Sequence, residues 1–130
     1  QGRREFWRDF RKSVPVLDIV IDDGSHLADH QIVSFEELLP HLRAGGVYCC
    51  EDIHGYPDNG FGSYILQYAS GLNDHRGADN KHSIKRATSM QADIHSVHLY
   101  PYVAVVEKNA APVAEFVAPK RGSEWQTFLK

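Results

Sequence analysis

The chain has 130 residues, enough for one domain with a sizeable buried core. Hydrophobic residues make up 42% and charged residues 24%, an ordinary globular mix, and the net charge of −3 lacks the basic excess of a nucleic-acid binder. No apolar run approaches membrane-spanning length, and the charged opening, Gln1 to Lys12, does not read as a signal peptide, so a cytoplasmic protein that binds no membrane is expected.

Arg4 to Arg11 sets Phe6, Trp7 and Phe10 at helical spacing among charges, which predicts a short amphipathic helix closed by Pro15. Val16 to Ile21 is a nearly continuous apolar run ended by Asp22-Asp23-Gly24. That is how a strand buried on both faces of a parallel sheet reads. From Leu27 to Arg43, Ile32, Phe35, Leu38, Leu39 and Leu42 recur three or four apart, the pattern of a second helix, with Gly45-Gly46 as its stop. Val47 to Ile53 predicts a second buried strand. Strand, helix, strand with short links makes a parallel βαβ unit. Cys49 and Cys50 are neighbours on that strand and point to opposite faces, so two free thiols are expected. Tyr64 to Leu72 predicts a helix, and Asn73 to Ser83 a polar loop. Ile94 to Leu99 and Tyr102 to Glu107 are joined too closely for a crossover and predict an antiparallel hairpin.

Both parallel strands end in acidic pairs, Asp22-Asp23 and Glu51-Asp52. Ligands of open α/β sheets bind outside the carboxyl ends of the strands. Acidic residues there also favour the starts of following helices. Two pairs at equivalent ends, with His26 three residues beyond Asp23, point instead to a site for a hard divalent cation such as Mg²⁺ or Ca²⁺. A neutral His26 beside a metal-bound hydroxyl would suit general-base chemistry. His54 and Tyr56, just past the second pair, are candidates either for the substrate site or for a plain polar loop. His30 reads as a supporting or surface residue.

The segments Leu17-Asp18-Ile19-Val20-Ile21-Asp22-Asp23-Gly24-Ser25-His26, Gly45-Gly46-Val47-Tyr48 and Glu51-Asp52-Ile53-His54 resemble the metal-dependent sugar O-methyltransferases of antibiotic biosynthesis. Ser96 to Tyr100 and Val105 to Lys108 resemble that family's closing hairpin. The resemblance implies an α/β fold holding part of a Rossmann-like methyltransferase sheet: about four strands, mostly parallel, one antiparallel closing strand, flanked by helices. It implies the spatial strand order first, second, fourth, third. It implies Asp23, Glu51 and Asp52 as Mg²⁺ ligands and His26 as the base that deprotonates a small-molecule hydroxyl. Asp22 and Gln1 would lie beside S-adenosylmethionine.

No Gly-x-Gly precedes the first strand, so residues 1–130 are expected to form the C-terminal half of a methyltransferase domain without its cofactor-binding half. Two other readings stand beside this one: a non-catalytic α/β module, and a metal-dependent hydrolase. With no upstream strands, Val16 to Ile21 becomes a sheet edge, and a homodimer through that edge is expected.

Overall fold

The structure is a computed structural model that describes residues 1–54, 60–74 and 87–116. Helix α1 (Arg4–Ser13) leads into strand β1 (Leu17–Asp22), helix α2 (Ala28–Leu38) and strand β2 (Leu42–Cys50); helices α3 (Phe61–Ser70) and α4 (Ser89–Asp93) precede the hairpin of β3 (Ile94–Tyr100) and β4 (Val103–Lys108). The four strands form one sheet in the order β1-β2-β4-β3. β1 and β2 are parallel, and β4 runs antiparallel to both β2 and β3. This is the order and polarity the resemblance implies.

The second helix is shorter than its apolar spacing suggests. Pro40 has no N–H to continue the ladder, so α2 ends in a single 3-10 turn, Leu39–His41. The chain is extended from Leu42, which pairs with Leu17. Gly45 therefore stops no helix. It lies within β2 at φ 73, where the register slips between Leu17 and Ile19, and its N–H donates to the Asn109 carbonyl. Helix α4 was not apparent in the apolar pattern; Thr88 and Gln91 close a reciprocal capping box at its start.

One face of the sheet carries the core. Val20, Tyr48, Cys50, Ala104 and Val106 are buried against α2 and α3. Phe35 is the centre of an edge-to-face cluster, its ring 5.0 to 5.9 Å from those of Tyr48, Phe61, Tyr64 and Tyr68. α1 docks on α2 through charge: the buried Glu37 accepts from Arg4 at 3.1 Å and from Arg11 at 2.8 Å, and Arg4 also pairs with Glu36. The opposite face is open. Ile19 and Ile21 are 62% and 64% exposed, so β1 is covered on one side only among the described residues. A parallel strand of this composition normally has both faces packed, and no described element lies over this one.

Candidate active site

β1 and β2 are parallel neighbours in register Asp22 to Cys50, so their acidic ends meet at one edge of the sheet. The Glu51 N–H donates to the Asp22 carbonyl at 3.0 Å, which carries the ladder past the last strand residue. Beyond it, Asp23, His26 and Asp52 converge: one ligand atom from each lies within 4.8 Å of the others. His26 Nε2 is 3.0 Å from Asp23 Oδ1 and 3.8 Å from Asp52 Oδ2. Oxygen ligands at about 2.0–2.6 Å from a shared cation can stand up to about 4–5 Å apart, so the Asp23 and Asp52 oxygens, within 4.8 Å of each other, can share a hard divalent ion. Glu51 is half-buried, and its carboxylate is not one of the three converging groups.

Two of the three residues have left-handed backbone, His26 at φ 56 and Asp52 at φ 49. Non-glycine residues enter that region at a cost and are concentrated at functional sites. The third such residue among those described is Tyr102, φ 62, in the β3–β4 turn directly after Pro101. Its carbonyl accepts from the Ile53 N–H at 2.9 Å, so the hairpin tip reaches the same sheet edge. Its ring is 5.6 Å from that of His54, which in turn is 6.4 Å from His26. His54 is thus beside the site and exposed, whereas Tyr56 lies outside the described residues.

Asp22 differs from its neighbour Asp23. It is buried, and both oxygens are engaged: Gln1 Nε2 donates to Oδ1 at 2.6 Å and the Tyr48 hydroxyl to Oδ2 at 2.7 Å. Gln1 turns its other amide atom to the Ser25 N–H at 2.6 Å, while its carbonyl accepts from Trp7 Nε1 at 2.7 Å. Gln1 and Asp22 therefore sit together, at the turn that leads to His26. Burial and the hydrogen bond to Asp22 push the Tyr48 phenol far up, so it stays a donor. His30 supports the same turn, its Nδ1 2.8 Å from Ser25 Oγ. Both cysteines are free; burial raises the Cys49 thiol and holds that of Cys50 at about 12, so neither is a nucleophile at neutral pH.

No protein-family model matches the chain. It is 32% identical over 114 residues to the 8-demethyl-8-alpha-L-rhamnosyl tetracenomycin-C 2'-O-methyltransferase of Streptomyces olivaceus, covering 79% of this chain and 30% of that protein. With the 3'-O-methyltransferase of the same organism that acts on 8-demethyl-8-(2-methoxy-alpha-L-rhamnosyl)-tetracenomycin-C it shares 33% over 126 residues, 80% of this chain and 30% of that protein. Over 62 residues it is 44% identical to the mycinamicin VI 2''-O-methyltransferase of Micromonospora griseorubida, 48% of this chain and 16% of that protein. Its homologues are antibiotic sugar O-methyltransferases. Among solved structures, MycE methyltransferase of the mycinamycin pathway, in complex with Mg and SAH, superposes with a TM-score of 0.64 at 30% identity, over 83% of this chain and 31% of that one. The same enzyme with Mg, SAH and mycinamycin VI also gives 0.64. The chain spans about 30% of the length of the first two relatives.

The residues that the sequence did not single out are Tyr102 and Gln31, whose Nε2 donates to the Glu51 carbonyl at 3.1 Å. Pro101 before Tyr102 does favour a turn that needs positive φ at the next position. Gln31 carries no local signal.

Proposed function

We propose that this chain carries the catalytic end of an S-adenosylmethionine-dependent, Mg²⁺-dependent O-methyltransferase acting on a hydroxyl of a glycoside or similar small molecule. The observation that carries this reading is the convergence of Asp23, His26 and Asp52 at the ends of two parallel strands, within a stretch similar to sugar O-methyltransferases. Asp23 and Asp52 would hold the cation, because oxygen ligands suit Mg²⁺ better than imidazole does, and Glu51 would join them only if its carboxylate turned toward the cluster. A bound Mg²⁺ orients the acceptor hydroxyl and lowers its pKa. His26 is left as general base: its Nε2 faces the two carboxylates as a donor, and with those oxygens turned to the cation it would be free to take the hydroxyl proton. Gln1 and Asp22, which sit together, would lie beside the methyl donor, S-adenosylmethionine, which supplies the electrophilic methyl group. Much of the rate would come from holding donor and acceptor in line. His54 and Tyr56 would border the acceptor.

Residues 1–130 would be the C-terminal half of a class I methyltransferase domain whose Gly-rich half lies upstream; the strand order and the share of each relative covered support this. Two free thiols suit a cytoplasmic setting, and among the described residues no helix is long and apolar enough to cross a membrane. Without upstream strands the chain would form a homo-oligomer through the exposed edge from Val16 to Ile21.

The test is transfer of a labelled methyl group from S-adenosylmethionine to a free-hydroxyl rhamnoside by the full gene product. Turnover should stop with EDTA and return with Mg²⁺. His26→Ala should lower kcat far more than donor affinity, and the 130-residue chain alone should bind the donor poorly. Turnover unaffected by chelation would overturn the metal assignment. Equal loss of kcat and donor affinity would make His26 structural.

A further inference from the structure

Asp52 is the converging residue that needs most explanation, because its φ of 49 is set by neither glycine nor a turn motif. The two peptide planes that flank its Cα are both pinned. The plane after it is held by the Ile53 N–H, which donates to the Tyr102 carbonyl at 2.9 Å. The plane before it contains the Glu51 carbonyl, and that oxygen accepts from Gln31 Nε2 at 3.1 Å; Cys50 Sγ adds a weak contact at 3.8 Å. The first plane governs ψ of Asp52 and the second governs φ. The residue holding the second is the only one of these partners that acts through a side chain with a full hydrogen bond.

Gln31 is 1% exposed, in the first turns of α2. Its Oε1 is buried with no protein partner among the described residues. A buried amide with an unmet acceptor is a poor way to stabilise a core, where an apolar residue of the same length would avoid the desolvation cost. What the amide does achieve is local: it reaches from the helix behind His26 to the peptide that orients Asp52.

We propose that Gln31 is a positioning residue, whose side-chain amide holds the Glu51–Asp52 peptide so that the Asp52 carboxylate is delivered to Asp23 and His26. This rests on the metal reading above for its purpose, though not for its geometry. Gln31 thereby couples the two halves of the site, since the turn carrying His26 and the loop carrying Asp52 are fixed by one helix.

The experiment compares the parent chain with Gln31→Met, which keeps length and loses the donor, and with Gln91→Met as control. Gln91 is also buried and donates to two carbonyls, Leu72 at 2.8 Å and Asp74 at 3.0 Å, away from the site. Positive φ brings a residue's HN and Hα close, so the parent should show a strong intraresidue HN–Hα NOE at Asp52. Gln31→Met should lose it and bind Mn²⁺ about tenfold more weakly, the scale of a lost outer-shell partner. Gln91→Met should melt earlier yet keep both. If Gln31→Met does not fold, Gln31→Asn, whose amide is one methylene short, is read in the same way. A weak Asp52 NOE in the parent, an unchanged NOE in the Gln31 variant, or its loss in the Gln91 control overturns the proposal. An NOE that switches as expected in a chain that binds no Mn²⁺ upholds the positioning role and removes the metal reading instead.

Discussion

Asp22 and Asp23 are adjacent in sequence and opposite in circumstance. On a strand that alternates sides, one must turn into the core and the other outward. Asp23 is free to meet a cation or His26. Asp22 is committed to Gln1 and to Tyr48, a donor whose ring is itself packed edge-on against Phe35. Removing the Tyr48 hydroxyl leaves a buried carboxylate one donor short. We expect Tyr48→Phe to destabilise the fold by about 2 kcal/mol, the range for a hydrogen bond to a charged group, measured by urea unfolding. A change below about 0.5 kcal/mol would mean that Asp22 is solvated in its place. At this scale the sequence shows the converging groups well. Asp23, His26 and Asp52 are visible because acidic strand ends and a following turn are local patterns. Glu51 is visible for the same reason, yet its neighbour Asp52 is the one turned to the cluster, because the left-handed backbone at Asp52 redirects the chain. Gln31 was not visible, since among the described residues the only hydrogen-bond partner of its amide is a carbonyl twenty residues away.

Helix α1 carries no buried residue, although Trp7 and Phe10 lean on the core, and its hold on α2 is largely ionic. The Arg4 guanidinium, hydrogen-bonded to Glu36, lowers the Glu36 carboxyl from its usual value near 4.5; burial opposes this, and the Tyr64 hydroxyl, donating at 3.1 Å from α3, adds to it. A depressed carboxyl contributes stability that is fully present above its unfolded pKa and is lost as pH falls through the folded one. The pair should therefore weaken below about pH 4.5 and be indifferent to pH near neutrality. Between about pH 5 and pH 3 the melting temperature of the parent should fall more steeply than that of Glu36→Gln, in thermal scans followed by circular dichroism. Parallel curves would show that the pair, which is partly exposed, is screened to nothing. Helices α1, α2 and α3 were legible from apolar spacing, and the short α4 was not. Where α2 gives way to β2 was not, because Leu42 continues the helical period and also suits a strand; tertiary pairing with Leu17 decides it.

In the whole molecule, the sheet order was legible only through the resemblance, since periodicity cannot say that the last strand inserts between the second and the third. What the chain's own pattern did announce is that β1 wants cover on both faces and pairing on both edges, and among the described residues it has one of each. Val16, Ile19 and Ile21 are 60% to 64% exposed. The one charge within the run, Asp18, is already paired with Arg43, so it does little to blunt the edge. An unprotected apolar edge strand is a template for another chain, and a two-fold pairing of equivalent edges closes without leaving a further edge of the same kind. At micromolar concentration the 130-residue chain should sediment as a dimer. Ile21→Lys should shift it to monomer, because charged side chains, lysine above all, blunt pairing along an edge strand, while Leu66→Lys, a change at another exposed apolar residue, should not. A longer chain in which further strands pair with β1 should not associate through this edge, as those strands would take the place of the second copy. A monomeric parent chain would remove the edge from consideration. A dimer that survives Ile21→Lys would move the interface to another surface.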